Sequence, residues 1–459
     1  MIRTEKEDLD SKEILKLIET HKKGLSRLQK LENYYKGLHS ITEGTKDTEK
    51  PDNRLVNSYP KYIVDMHVGY LVGNPVSYSA VEATEASIGG LSLNEGTNGS
   101  GDTEMLLNEL TELYDYNDEQ SLNSELATTA GKLGIAYELQ YIDSLNNIRL
   151  TEISPLESFV VYDNTLENNI KFFMRYYAID KDVLIDVYTA KEIISYKQID
   201  GAEELTPIGR RPHAFNDVPV SVYSNNKSGL GDFEPVMALI DAYDRAQSDT
   251  MNDMDQFTDS YLALHGAENT DPEDITRMKK DRVLLLPEGA NASWLIKSVN
   301  DTWVENFKMR IRQDIHKFSS TPDLSDTEFG GNMSGVSLSY KLLPFENARK
   351  NKARKFKVGL QRRMELICNY LNFTKRANYD YTGIDVRFNN TLPQNVFELS
   401  QTLLNLSTFA SKETLVGQIP FVENPKAELE KRAAELDDEI PSSIDMAFQN
   451  SGDGIDGEE

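Results

Sequence analysis

The sequence predicts an α+β fold. Three observations carry that reading: an amphipathic helical stripe near the start, a run of short alternating segments between residues 135 and 223, and extended helical patterns after residue 235. In the first stripe Ile14, Leu15, Leu17, Ile18, Leu25, Leu28 and Leu31 recur at helical spacing, so a helix is expected from about Ser11 to Tyr35, ended by Gly37. After a polar loop a second helix runs to about Val72, and Gly73, Asn74 and Pro75 turn the chain into a short strand. Residues 81–102, rich in Gly, Ser, Thr, Asn and Glu, read as a flexible insertion. Its glycines lack the Gly-Lys-Ser/Thr ending of a phosphate-cradling loop. A helical stretch from Thr103 to about Lys132 comes next. Ile135, Tyr137, Leu139 and Tyr141 then alternate with more polar residues, and Ile148–Ile153, Phe159–Tyr162, Ile170–Tyr177, Val183–Thr189 and Val220–Tyr223 are similar runs between turns. Together they predict a meandering antiparallel sheet whose tyrosines suit packing on half-buried faces rather than base stacking.

From Pro235 the pattern turns helical again. Val236, Ile240, Tyr243, Gln247, Thr250, Met254, Phe257, Tyr261 and Leu264 alternate by fours and threes, a seam suited to neighbouring helices. About 30 residues at 1.5 Å each make a rod of roughly 45 Å. This stretch holds seven acids (Glu234, Asp241, Asp244, Asp249, Asp253, Asp255 and Asp259) and one base, Arg245. They form either a solvated face or, if the rod repeats around a ring, a shared channel wall or outer surface. After Gly266, Thr270 or Asp271 caps a short helix with Pro272 in its first turn, and Val283–Leu286 and Ser293–Ser298 read as strands.

Thr302 and Glu305 have capping-box spacing, and Trp303, Phe307, Ile311, Ile315 and Phe318 continue a helix that stops before Pro322. Residues 321–335 are polar, acidic and punctuated by Gly330 and Gly331. From Ser334 a second helix runs past Leu371, interrupted at Pro344, which predicts a kink. Between Lys341 and Arg363 stand nine basic residues and one acid, Glu346, in a chain of formal charge −26. The loop and the start of the second helix resemble the tunnel loop and kinked helix of tailed-bacteriophage portal proteins of the SPP1 type. Three N-terminal motifs, in one order, are similar to the same family: Tyr34, Tyr35, Gly37, His39 and Ile41; then Asn53, Arg54, Leu55, Val56 and Asn57; then Gly69, Tyr70, Gly73, Pro75 and Val76.

The resemblance covers most of the chain. It implies a portal fold with a wing of helices and antiparallel sheet (1–232), a two-helix stem (233–265 and 301–320) around a small α/β clip (266–300), a tunnel loop (321–334), a kinked long helix and wing return (335–395, with a strand at Ile384–Phe388), a helical crown (396–436) and an acidic tail (437–459). Crown helices are expected over Val396–Phe409, Lys412–Ile419 and Pro425–Leu436; the tail, with eight acids and no base, is expected to be disordered. The implied function is a homo-oligomeric ring, twelve copies by the family's pattern, that conducts double-stranded DNA at one capsid vertex. The implied partners are terminase, major capsid and scaffolding proteins, and head-completion or tail connector proteins. The implied setting is the virion, and the host cytoplasm during assembly. Pro322, Asp323, Asp326, Glu328, Phe329, Gly330, Gly331, Asn332, Met333 and Ser334 are then the candidate tunnel loop approaching DNA. Val236, Ile240, Tyr243, Met254 and Phe257 are the candidate ring-packing seam. Lys341, Arg349, Lys350, Lys352, Arg354, Lys355 and Lys357 are candidates either for DNA contact or for neutralising acids of the next subunit.

Composition bounds these readings. At 459 residues there is room for two or three domains; the first residues do not resemble a signal peptide, so a cytoplasmic start is expected, and no apolar run is long enough for a membrane span. The net negative charge argues against nonspecific coating of nucleic acid, leaving DNA contact to local basic patches. Cys368 is the single cysteine and reads as inert helix packing, which rules out an internal disulfide framework. The six histidines match no metal pattern and no nucleophile elbow is present, so neither an enzyme nor a cofactor is expected. Two rivals remain: a helical scaffold or adaptor that binds proteins and not DNA, and, more distantly, a two-metal nuclease.

Overall fold

The computed structural model describes residues 1–46, 50–81, 100–199, 204–258, 261–265, 291–295, 301–325, 335–389, 396–419 and 428–435, with a few isolated positions between them. Strand β1 (Ile2–Arg3) leads into helix α1 (Ser11–Tyr35), which opens on a capping box: the Asp10 side chain accepts from the Glu13 amide and the Glu13 carboxylate accepts from the Asp10 amide. Gly37, at a φ of +80°, turns the chain away after it. The expected stripe splits between two cores. Ile14 and Ile18 are buried against the large sheet, while Leu31 and Tyr34 enter the main helical core.

Helix α2 (Tyr59–Val72), strand β2 (Val76–Ala80), helix α3 (Ser100–Asn117) and helix α4 (Glu119–Leu133) follow. The single helix expected over 103–132 is two, because Asp118 takes a left-handed conformation (φ 49°) between them. Strands β3 (Ile135–Ile142), β4 (Ile148–Ile153), β5 (Ser158–Tyr162), β6 (Ile170–Ile179), β7 (Asp182–Tyr188), β8 (Glu192–Gln198), β9 (Thr206–Pro212) and β10 (Val220–Ser224) come next. Two of them, β8 and β9, were not expected from the pattern. They form the outer edge of a six-stranded sheet, ordered β1-β5-β6-β7-β8-β9, where β9 is exposed throughout and carries no buried alternation to read. The meander also divides: β10, β3 and β4 make a separate three-stranded sheet. Along β5 and β6 the pleat sends Phe159, Val161, Phe172 and Met174 toward α1, and Val160 and Phe173 toward Tyr137, Leu139 and Val220 of the smaller sheet. Both faces of the central strands are therefore covered.

Helix α5 (Met237–Thr258) ends earlier than its seam spacing suggested. Tyr261 and Leu264 belong to strand β11 (Tyr261–His265), paired antiparallel with β12 (Asn291–Leu295). The spacing of fours and threes carries on into residues that pair as a strand, so the pattern alone does not mark where the helix ends. Helix α6 (Asp301–Phe318) packs on α5 and begins one residue before Thr302, placing Thr302 inside the first turn instead of at its cap. Ile311 and Ile315 are buried as the stripe required, but Trp303, Phe307 and Phe318 face solvent. Helix α7 (Gly335–Lys375) runs through Pro344 without a break; Pro344 lies on the exposed side. Strand β13 (Ile384–Phe388) returns to pair with β2, as expected. Helices α8 (Val396–Leu406) and α9 (Lys412–Val416) are shorter than their patterns, and residues 428–435 are helical. Of the insertion expected over 81–102, residues 100–102 instead open α3; its residues 82–99, the strand expected at Val283–Leu286, most of the helix expected after Thr270 or Asp271, and the tail 437–459 lie outside the described residues.

Candidate functional site

The first two N-terminal motifs converge on α5. Tyr34 donates to Asp241 Oδ1 at 2.7 Å, and its hydroxyl oxygen lies 2.8 Å from Ser40 Oγ. His39 is fully buried, its Nδ1 2.5 Å from Asp244 Oδ2 and its ring stacked on Tyr34. Asn57 donates its amide and its side-chain N–H to Asp244 Oδ1, Leu55 donates its amide to Ser248 Oγ, and Asn53 reaches Asn252 and Asp255. Arg54 pairs with Asp52 and donates to the carbonyls of Glu43, Gly44 and Thr45, closing the loop on itself. The acids expected on a solvated face or a shared wall thus divide. Glu234 is taken by Arg27, while Asp241, Asp244 and Asp255 hold this chain's own loop.

Beside this clamp, α5, α6 and the start of the 321–335 loop enclose a cavity of about 540 Å³ lined by Tyr243, Gln247, Lys308, Arg312, His316 and Asp323. Arg312 Nε lies 3.1 Å from Asp323 Oδ2, and His316 Nε2 3.8 Å from the same oxygen. Burial works to raise the Asp323 pKa, but hydrogen bonds from Ser325 and the charges of His316 and Arg312 outweigh it and hold the carboxyl below its ordinary value. Tyr62 donates to the Pro322 carbonyl, and buried His67 meets the Ser319 carbonyl at 3.2 Å, so the chain entering the loop is held to α2. Of the candidate loop, Pro322 and Asp323 are placed by these contacts; Asp326, Glu328, Phe329, Gly330, Gly331, Asn332, Met333 and Ser334 lie outside the described residues.

The basic stretch of α7 is largely spent inside the chain. Arg349 grips Glu346 with two hydrogen bonds of 2.9 and 2.8 Å, and Lys350 shares the same carboxylate. The bonds from Arg349, helped by Tyr70, push the Glu346 pKa down to about 2 against its partial burial. Lys352 pairs with Asp232, Lys357 with Asp385, and Arg362 with Asp217 and Glu365. Lys341 is also engaged. Arg363 is wholly buried and bonds Glu138, Glu119 and Asn123, with Tyr223 donating to the same Glu138. Most of these cations already have an acid within the chain: Glu346 one turn away for Arg349 and Lys350, and sequence-distant Asp232, Asp385, Asp217 and Glu138 for Lys352, Lys357, Arg362 and Arg363. Arg354 and Lys355 alone of the stretch remain exposed and pair with no acid among the described residues.

The seam is also partly consumed. Val236 and Ile240 are fully buried in the chain's own core and Tyr243 packs against it, so ring closure is not needed to cover them. Met254 is exposed, and Phe257 lies on α5. Trp303 and Phe307, read as part of a packing stripe, instead stack in solvent with parallel rings 5.7 Å apart. Cys368 is buried, and burial pushes its thiol up to about 12, in keeping with inert packing. Among the described residues no group of three or more His, Cys, Asp or Glu is placed to hold a metal ion, and no helix is long and apolar enough to cross a membrane.

A clamp of hydrogen bonds around α5, a helix pair leading to a two-stranded sheet, and a loop feeding a 41-residue helix together define a structural framework. The chain belongs to the family described as phage portal protein, SPP1 Gp6-like, which matches residues 14–442. It is 25% identical over 431 residues to the portal protein of Bacillus phage SPP1, covering 89% of this chain and 81% of that one. It is 23% identical over 378 residues to the portal protein of Clostridium phage phiCD119, covering 76% and 77%.

Proposed function

We propose that this chain assembles into a ring of identical subunits at one vertex of a phage capsid, through which terminase drives double-stranded DNA and from which the genome later leaves. The family match across residues 14–442 carries this reading. In it the body of helices and antiparallel sheet is the wing, α5 and α6 the stem, β11 and β12 part of the clip, α7 the long helix after the tunnel loop, and the helices from Val396 the crown. Major capsid and scaffolding proteins surround the ring, and head-completion or tail connector proteins follow the terminase at the clip. The work is mechanical and electrostatic: an acidic chain binds phosphates weakly, so DNA slides. Exposed Trp303 and Phe307, stacked on each other on one stem helix, offer an apolar surface that a neighbouring subunit would cover.

Negative-stain imaging of the purified protein tests the reading: rings with a central hole are expected, whereas monomers, dimers or filaments fit a scaffold or adaptor. Deleting Gly330–Met333 should leave rings intact and impair packaging; normal packaging by that variant removes the loop from the mechanism.

A further inference from the structure

On α7, Tyr340, Leu343, Asn347, Lys350, Arg354 and Val358 recur at spacings of three and four, and every one faces solvent. The opposite side, with Leu342, Phe345, Phe356 and Leu360, is buried in the chain's own core. The outward stripe is apolar and basic: Tyr340 is 73% exposed, Leu343 49% and Val358 58%, and Arg354 with neighbouring Lys355 finds no acid among the described residues. Helix α3 presents the complement. Its inner face buries Leu106, Leu110 and Tyr114, while Asp102, Glu104, Met105, Glu112 and Asp115 face solvent. The nearest cations are engaged nearby, Lys375 on Glu109 and Arg149 over the ring of Tyr116. At 1.5 Å per residue the two stripes are about 27 and 20 Å long, commensurate for packing side by side.

We propose that the apolar and basic face of α7 seats on the apolar and acidic face of α3 of a second copy. The two faces differ, so the contact is head-to-tail, the kind that propagates from subunit to subunit and closes when the rotation permits. It rests on the ring reading above and names the interface. Of the seven stem acids, the alternative counter-charge, four are occupied within the chain: Asp241, Asp244 and Asp255 by its own loop and Glu234 by Arg27. A phosphate backbone is a poorer fit, since a stripe with three large apolar side chains has no use for it and few cations are left to neutralise it.

Light scattering and negative stain on the full chain test this. Wild type is measured first: an absence of rings defeats the ring reading itself and this contact with it. With wild-type rings present, R354E/K355E should lower the ring fraction by roughly tenfold or more through like-charge repulsion. E104K/E112K should do the same, and the four substitutions combined should restore rings, as only a direct contact allows. All are exposed positions, and circular dichroism confirms folding. Rings of normal abundance in R354E/K355E overturn the proposal; if those rings also fail to retain DNA, the stripe belongs to DNA instead.

Discussion

At the scale of single residues, buried charge decides more than the hydrophobic pattern suggests. Glu138 and Gln140 stand at the polar positions of β3, which the alternation assigned to solvent, yet both are buried because Arg363 and its carbonyl cover them. Replacing Arg363 with Met strands Glu138 and Glu119 without a counter-ion, and chemical denaturation should show a loss of about 3–5 kcal/mol. Gly359 permits the same helix to lie on Tyr223: a Cβ there would stand 2.5 Å from the ring, which its bond to Glu138 holds in place. Gly359→Ala should therefore cost about 1–3 kcal/mol in the same assay. His67 and His21 supply a pH dependence. Burial holds each near pKa 4, aided at His67 by Lys352, so both are neutral in the fold while an unfolded histidine titrates near 6.5. The unfolded chain then binds more protons between those values, so their stabilisation is complete above about 6.5 and is lost as pH falls through about 4. Melting temperature should drop over that window, and His67→Gln should flatten the drop.

At the scale of elements, the clamp on α5 is the most informative. Asp244 accepts from the Asn57 amide and side chain and meets His39, tying residues far apart in the chain to one carboxylate. Asp244→Ala leaves these groups without a partner in a buried place, at a cost of about 2–4 kcal/mol, and amide exchange at Leu55 and Asn57 should quicken. The existence of α1 and α6 was legible because each carries a long apolar stripe. Their outer contacts were not, because a stripe gives the buried direction and not the partner. The acids of α5 illustrate this: spacing shows that they share a helix, but only the fold reveals a loop some 190 residues earlier lying across them. Strand β9 escaped for the opposite reason, as an uncovered edge leaves no hydrophobic alternation, and β8 beside it is half-buried along its whole length.

At the scale of the whole molecule, charge is sorted inside the subunit before it meets anything else. Most cations of α7 are matched by acids of the same chain, so few charges of that helix are left for contacts between subunits, and those few are sensitive to salt. Ring stability should fall as sodium chloride rises from about 0.1 to 1 M, where screening shortens from about 10 to 3 Å, as sedimentation would report. The family was legible from three short motifs, two of which build the clamp, and from the loop with the start of the second helix; the loop residues beyond Asp323 rest on that resemblance and on residue type. Helix α7 is fastened along its length, through Phe345, Glu346 with Tyr70, Lys352, Lys357, Arg363 and Leu371. So fastened, it behaves as a strut rather than a lever. Force applied anywhere between Phe345 and Leu371 would pass straight into the body.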